Sequence, residues 1–125
     1  MNPDLKRLDM HIIQFLSTEP GTRNVRANIA HELIDQIEDD LPDDGTDDYL
    51  HEVEVFARRV SNRLDRGLMS RGLVRRVGPS DKSGLYELTS QGQQAARILD
   101  NWDIDDDRDR TYARYDVDEY LGLHE

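Results

Sequence analysis

The feature that most constrains the fold of this chain is a change of apolar periodicity at Gly72. Before it, from Val53 to Leu68, apolar residues recur every three or four positions, which is helical spacing. After it, residues 73–77 and 85–89 follow strand periodicity on either side of a turn that contains Gly, Pro and Ser. The sequence therefore predicts a long helix followed directly by a β-hairpin.

Helical spacing and capping residues also predict the other helices of the chain. The predicted helices are the first over residues 3–18, the second from a cap near Asn24 to Ile37, the third from about Asp48 to about Arg71, and the fourth from a Ser90 cap to about Asn101. Between the second and third, residues 38–50 are rich in Asp and contain Pro and Gly. This composition predicts an acidic insertion in the form of a loop.

The predicted elements form one domain and a tail. Residues 1–102 hold the helices and the hairpin, and residues 103–125 read as an acidic linker and an aromatic C-terminal tail. We expect a mainly α fold with a small β-hairpin, in the order helix, helix, helix, hairpin, helix. That order is typical of a winged helix-turn-helix DNA-binding domain, here with an extended recognition helix.

Positive charge is concentrated in one stretch of an acidic chain. Residues 55–84 carry eight Arg or Lys and two Asp, and subtracting their +6 from the chain's −11 leaves −17 elsewhere. A basic island of this kind indicates a polyanionic partner, and nucleic acid is the simplest. Asp outnumbers Glu by 19 to 8 and Arg outnumbers Lys by 14 to 2. This texture favours adaptation to molar salt, as in a halophilic archaeon or its virus.

The candidate DNA-binding residues lie on the side of the third helix opposite its apolar positions, and on the hairpin. A helix fits the major groove, where Arg pairs with guanine and Asn with adenine. Cations on the hairpin suit phosphates or the minor groove. The candidates are Arg58, Arg59, Asn62, Arg63 at the margin, and Arg66 on the helix, Arg75 and Arg76 at the base of the hairpin, and Lys82 at its tip.

Other function classes have less support in the sequence. The absence of Cys excludes a disulfide framework and a thiolate nucleophile. No apolar run is long enough for a signal segment or a membrane span, so we expect a cytoplasmic protein without membrane contact. The four histidines are scattered singly, and no catalytic motif is found. We expect no metal, no cofactor and no enzymatic activity.

Three segments carry a resemblance to a known family: residues 60–64 (VSNRL), 71–78 (RGLVRRVG) and 84–89 (GLYELT) with Gly92. They resemble the winged-helix regulators of haloarchaea and their viruses, the phage-repressor-like group. The likeness covers roughly residues 3–100 and is specific in the last forty. It implies a DNA-binding transcriptional regulator, commonly dimeric.

The chain departs from that family at two places. About 26 residues separate Leu33 from Val60, where the family has a short turn, and residues 35–54 include ten acidic residues and no Lys or Arg. The start of the third helix therefore cannot face phosphate, so its middle and end should make the contact. One extra residue also precedes Gly72, and Gly67 inside the helix costs up to about 1 kcal/mol relative to Ala. Close packing against another backbone would explain this glycine.

The sequence thus predicts a homodimeric regulator that binds double-stranded DNA and represses transcription. The alternative is a winged-helix protein–protein interaction module, with weak or no DNA binding, that uses the acidic insertion and the tail. A continuous face formed by the basic helix stripe and the hairpin favours DNA, whereas an acidic loop folded over the third helix favours a protein partner. The tail aromatics either hold the dimer or fold back on helix one.

Overall fold

The computed structural model describes residues 5–18, 23–24, 29–38, 41–43, 45–77 and 85–122. Its elements are α1 (Arg7–Thr18), β1 (Arg23–Asn24), α2 (His31–Ile37), α3 (Asp47–Asn62), a π-helical turn (Arg63–Leu68), β2 (Val74–Arg76), β3 (Leu85–Leu88), α4 (Ser90–Leu99) and α5 (Asp107–Leu121). This part of the molecule is helix-rich with a small antiparallel sheet, in agreement with the predicted class. None of its helices combines the length and the apolar character needed to cross a membrane.

The long third helix is present, and local sequence signals set both of its ends. Thr46 is the N-cap, and its hydroxyl accepts a hydrogen bond from the Tyr49 backbone N–H at 3.1 Å. The helical path continues through the π-helical turn and stops before Gly72, whose φ of +74° is left-handed. The acidic insertion is thus shorter as a loop than predicted, because residues 47–50 belong to α3.

The sheet has three strands in the order β1-β3-β2. Strands β2 and β3 form the predicted antiparallel hairpin. The predicted helix cap near Asn24 is wrong, because Asn24 lies in β1 and Arg23 pairs with Tyr86 of β3. Residues 78–84, which include Lys82 and the turn of the hairpin, lie outside the described residues.

Helix α1 lies at the centre of the apolar core. It packs against α2, β3, α4 and the π-helical turn. Its first helical residue is Arg7 rather than residue 3, and residues 1–4 lie outside the described part of the chain. The fully buried large side chains are Leu5, Met10, Ile12, Ile13, Leu16, Ile29, Leu33, Ile34, Phe56, Leu64, Leu68 and Leu73.

The start of helix α4 lies close against Gly72 and Leu73, the residues that connect the third helix to β2. Its N-cap is Thr89 and not the predicted Ser90, since the Thr89 hydroxyl accepts a hydrogen bond from the Gly92 N–H at 3.1 Å. The same hydroxyl donates to the Gly72 carbonyl. A Cβ at Gly92 would lie only 2.1 Å from the Leu73 carbonyl oxygen. This close backbone approach requires glycine at position 92.

The segment predicted as a linker and tail contains a fifth helix that packs on the domain. Ala113 and Val117 of α5 are buried, and α5 packs against α4. The Arg114 Nε donates to the Leu5 carbonyl at 2.7 Å, and the Trp102 indole N–H donates to Asp116 at 3.0 Å. The tail thus folds back within the same chain, but it packs mainly against α4 rather than against helix one as in the predicted alternative. Its aromatic side chains Tyr112, Tyr115 and Tyr120 stay about half exposed.

Candidate nucleic-acid interface

The two halves of α3 carry opposite charge. The first half is acidic on its exposed side, with Asp47, Asp48, Glu52 and Glu54. The second half and the π-helical turn carry the arginines. The N-terminal end of a helix favours carboxylates and the C-terminal end favours cations, so this polarity also suits the helix dipole. A phosphate backbone can approach only the second half.

Three candidate residues form a surface that we call the exposed row: Arg58, Asn62 and Arg66. All three side chains are exposed, and none makes a hydrogen bond or ion pair with another described residue. They stand at four-residue intervals. Each residue of the π-helical turn rotates less about the helix axis than a residue of an α-helix does. Arg66 therefore stays in line with Arg58 and Asn62 instead of drifting around the axis.

Arg59 is half exposed but already has partners. Its guanidinium pairs with Glu38, the residue that follows α2, and its carbon lies 5.6 Å from the centre of the Phe56 ring. Glu38 begins the acidic insertion. One end of the insertion therefore contacts the basic side of α3.

Arg63 points inward, in contrast to the predicted margin of the outward stripe. Its Nε and one terminal nitrogen donate to the two oxygens of Asp9, each at 2.6 Å. Asp9 is fully buried and the Arg63 side chain is 16% exposed. The hydrogen bond to Asp9 raises the pKa of Arg63, against the opposing effect of burial. The Lys6 backbone N–H also donates to Asp9, at 2.7 Å. Arg63 thus anchors α3 to α1.

The π-helical turn and Gly67 both accommodate this anchor. The Met69 N–H donates to the Leu64 carbonyl at 2.8 Å, five residues back, so the turn absorbs one extra residue as a π-bulge does. A Cβ at Gly67 would lie 2.7 Å from the Arg63 guanidinium. The glycine is explained by the passing Arg63 side chain rather than by the predicted contact with another backbone.

Arg76 ties the hairpin to the π-helical turn. Its guanidinium donates to Asp65 at 2.9 Å and to the Tyr86 hydroxyl at 3.1 Å, while that hydroxyl donates to Asp65 at 2.7 Å. Burial and the hydrogen bond to Asp65 raise the pKa of Tyr86. The hydrogen bonds that Arg76 donates to Tyr86 and to Asp65 both raise the pKa of Arg76, the one to Tyr86 most. This Asp65–Arg76–Tyr86 cluster fixes the orientation of the hairpin relative to the helix.

Arg75 lies on the other face of the hairpin. It is directly opposite Glu87 in the strand register and forms an ion pair with it. Successive residues of a strand point to opposite faces, so Arg75 and Arg76 do not share a surface. The structure brings together the exposed row but separates it from Arg75, and Lys82 is not among the described residues.

Sequence reasoning missed the carboxylates that hold the inward arginines, although one signal was available. Asp9 stands four residues after Leu5 and three before Ile12, on the apolar side of the first helix. A carboxylate at such a position needs a cation or several hydrogen bonds. Asp65 offered no comparable signal, because its partners lie on the hairpin.

A groove of about 610 Å³ adjoins the basic side of α3. It is lined by Lys6, Arg7, Leu8, Ile37, Glu38, Arg59, Asn62 and Arg63. Arg7, Arg59 and Arg63 each contact a carboxylate, at Asp105, Glu38 and Asp9 respectively. Most of the groove's positive charge is therefore already balanced, which makes the exposed row the stronger candidate for an anionic partner.

The described residues contain no group of three or more His, Asp or Glu arranged to hold a metal ion.

Comparison of the chain with protein-family models, with curated proteins and with solved structures finds no match.

Proposed function

We propose that this chain is a cytoplasmic, sequence-specific regulator of transcription that binds double-stranded DNA as a homodimer and acts as a repressor. The observation that carries the proposal is the exposed row. Three side chains able to read base edges face water without partners among the described residues, in a chain of net charge −11. An acidic protein that leaves two arginines so disposed presents them to an anion.

The exposed row has the chemistry and the length for major-groove recognition. Arginine pairs bidentately with guanine, and asparagine with adenine. The eight residue steps from Arg58 to Arg66 correspond to at most about 12 Å at the α-helical rise of about 1.5 Å per residue. That length spans three to four base pairs at about 3.4 Å each. Arg59 can also contact DNA only if its ion pair with Glu38 breaks.

The arrangement of elements supports a winged helix-turn-helix reading of the fold. A helix, a strand and two helices precede the hairpin, and the early strand β1 adds to the hairpin's β3. The Asp65–Arg76–Tyr86 cluster would hold such a wing at a fixed angle to the recognition helix. In this reading Arg63 and Arg76 are positioning residues, whereas contacts from Arg75 and Lys82 to the DNA backbone stay predictions.

One observation favours the alternative, a protein–protein interaction module. Leu50 and Val55 are 51% and 38% exposed in the acidic half of α3, and Glu38 of the insertion occupies Arg59. An acidic surface with exposed apolar side chains cannot approach phosphate but suits a protein partner. The two functions use different halves of α3, so each can be removed separately.

The test is selection of duplexes from a random pool by the full chain at molar KCl, followed by affinity measurements on the enriched duplex. Arg58→Ala and Arg66→Ala should each lose about 1–3 kcal/mol, or roughly 5- to 150-fold in affinity. Arg97→Ala is the matched control, since Arg97 is an exposed arginine on a different helix, α4. Unchanged affinity in folded Arg58 and Arg66 variants overturns the interface. Failure to enrich any duplex favours the interaction module.

A further inference from the structure

Helix α5 has an outer face with an ordered pattern of side chains. The exposed residues of α5 are Asp107, Arg108, Thr111, Tyr112, Tyr115, Glu119 and Tyr120. Four of them lie along one stripe on the side away from the buried Ala113 and Val117: Arg108, Tyr112, Tyr115 and Glu119. The two tyrosines are 52% and 53% exposed. The charged side chains of Arg108 and Glu119 have no hydrogen bond or ion pair with another described residue.

The pattern is symmetric about the middle of the helix. The four positions are separated by four, three and four residues, so the spacing is the same in both directions. A two-fold axis midway between Ala113 and Arg114 would place Tyr112 opposite Tyr115 of a second copy. The same axis places Arg108 opposite Glu119 of that copy. The face is therefore complementary to itself in the antiparallel orientation, which is what a two-fold interface requires.

We propose that this face of α5 is a self-recognition surface through which two copies of the chain pair with their α5 helices antiparallel. The proposal rests on the homodimer within the proposed function and specifies its interface, but it does not depend on DNA binding. A second copy fits better than an unrelated partner because the charges at the two ends match each other.

The orientation of the two charges gives independent support. Arg108 is in the first turn of α5 and Glu119 in the last, whereas the helix dipole favours the reverse arrangement. The pair therefore costs the isolated helix some stability, and neither side chain forms an ion pair with another described residue. Pairing with the opposite end of a second α5 supplies the missing counter-charges.

Tyr112, one of the two aromatic residues at the centre of this face, is also preorganised for contact. Tyr112 stacks on Trp102 with ring centroids 5.5 Å apart, and the Trp102 indole is fixed by its hydrogen bond to Asp116. Four half-exposed tyrosines bury on the order of 400 Å² between two copies, well below the roughly 1,600 Å² of a standard interface. We therefore expect a reversible dimer in the micromolar range, in which the aromatic rings supply affinity and the charges set the register, most strongly at low ionic strength.

The test is sedimentation velocity of the full chain without DNA, from micromolar to hundreds of micromolar protein. Arg108→Glu and Glu119→Arg should each weaken dimerisation at least tenfold. The doubly exchanged chain should recover it, and so should an equimolar mixture of the two single variants, since both pairs are then complementary. Each exchange also follows the preference of the helix dipole, so the variants should stay folded. Arg97→Glu is the control for net charge.

Each outcome decides the matter. Loss in the single variants with recovery in the exchanged chain and the mixture supports the surface. A dimer unaffected by the exchanges overturns the α5 inference and leaves the homodimer to another surface. A wild-type chain that is monomeric at every concentration overturns both the inference and the homodimer, while the duplex measurements still judge DNA binding separately.

Discussion

Helix α1 is held to the rest of the molecule by two carboxylates that differ in their access to water. Asp9 is fully buried and accepts two hydrogen bonds from Arg63, which is itself 16% exposed. Asp105, in the connection before α5, accepts from Arg7 and lies 2.9 Å from the His11 ring nitrogen, but its side chain is 54% exposed. Both carboxylates accept hydrogen bonds from an arginine, but the two clusters differ in how much they stabilise the fold. Water competes for and screens the cluster at Asp105, and it does not reach the one at Asp9.

The positive charge of the basic island, residues 55–84, therefore overstates what is available to an anionic partner. Arg63 is committed to a buried carboxylate, Arg71 donates to the Gly67 carbonyl, and Arg76 joins the hairpin to the helix. Burial decides which arginines hold the fold and which remain available. Predictions that separate buried from exposed clusters test this division directly.

The largest effect is expected for Arg63→Ala. Removing the guanidinium leaves a buried carboxylate without its counter-charge, which typically costs about 3–5 kcal/mol. The free energy of unfolding, measured by denaturant titration, should fall by that amount, while Arg58→Ala should change it by less than about 0.5 kcal/mol. The double variant Asp9→Leu/Arg63→Met should lose less than Arg63→Ala alone. Equal small losses at positions 58 and 63 would contradict the inward placement.

The effect of Gly67→Ala on the free energy of unfolding should change sign with the residue at position 63. In the wild-type chain the new Cβ would lie 2.7 Å from the Arg63 guanidinium, which must shift and so strain its hydrogen bonds to Asp9. We therefore expect destabilisation, despite the roughly 1 kcal/mol by which Ala is favoured over Gly within a helix. In the Arg63→Ala background the obstacle is gone, and the same substitution should stabilise by about 1 kcal/mol.

A double-mutant cycle of denaturant titrations measures this reversal. Gln93→Ala on α4, an exposed helical position, gives the effect of an alanine substitution where no such contact exists. The same sign in both backgrounds would show that Arg63 does not pass over Gly67.

The helices and the hairpin could be predicted because local patterns determine them. The long third helix, the stop at Gly72 and the strands around residues 78–84 all follow from apolar spacing and turn residues. Strand β1 could not be found this way, because two residues become a strand only by pairing with β3. The capping residues Thr46 and Thr89 differ by one or two positions from the predicted starts.

The candidate site was less predictable than the fold. A projection at 100° per residue places Arg63 at the edge of the outward stripe, but it assumes α-helical geometry through residues 63–68, which form a π-helical turn. A long side chain at such an edge can turn either way, and the buried Asp9 decides its direction. The exposed row, in contrast, was predicted as exposed because its positions lie farther from the apolar side.

The Asp65–Arg76–Tyr86 cluster is intermediate between the two that hold α1. Tyr86 is 3% exposed, whereas the Asp65 side chain is 43% exposed. Tyr86→Phe removes the hydrogen bond donated to Asp65, a carboxylate that water can then reach, and the one accepted from Arg76. We therefore expect a loss of about 1–2 kcal/mol. In a double-mutant cycle, the effect of Asp65→Asn should be coupled to that of Tyr86→Phe. Thr111→Ala, an exposed control on α5, should show no coupling to Tyr86→Phe.

The raised pKa of Tyr86 adds a pH signature to this cluster. A phenol whose pKa is higher in the folded chain contributes stability that is complete below about pH 10 and is lost as the pH rises through the folded value. Tyr86→Phe should therefore flatten the alkaline decline in unfolding free energy. An unchanged alkaline slope in the variant would contradict the burial of the Tyr86 phenol together with its hydrogen bond to Asp65.

The smallest effect is expected at Asp105, the exposed counterpart of Asp9. The hydrogen bond from His11 and then that from Arg7 lower the pKa of Asp105. A carboxyl with a lowered pKa in the folded chain contributes stability above its ordinary value near pH 4, and the contribution is lost as the pH falls through the folded value. Because the side chain is 54% exposed, Asp105→Asn should cost less than about 1 kcal/mol at neutral pH. Thermal unfolding of both chains from pH 7 to pH 2 should show the difference shrinking in acid, and molar KCl should reduce it at neutral pH. A loss as large as that of Arg63→Ala, or one independent of pH, would show that the two carboxylates do not differ as their exposure indicates.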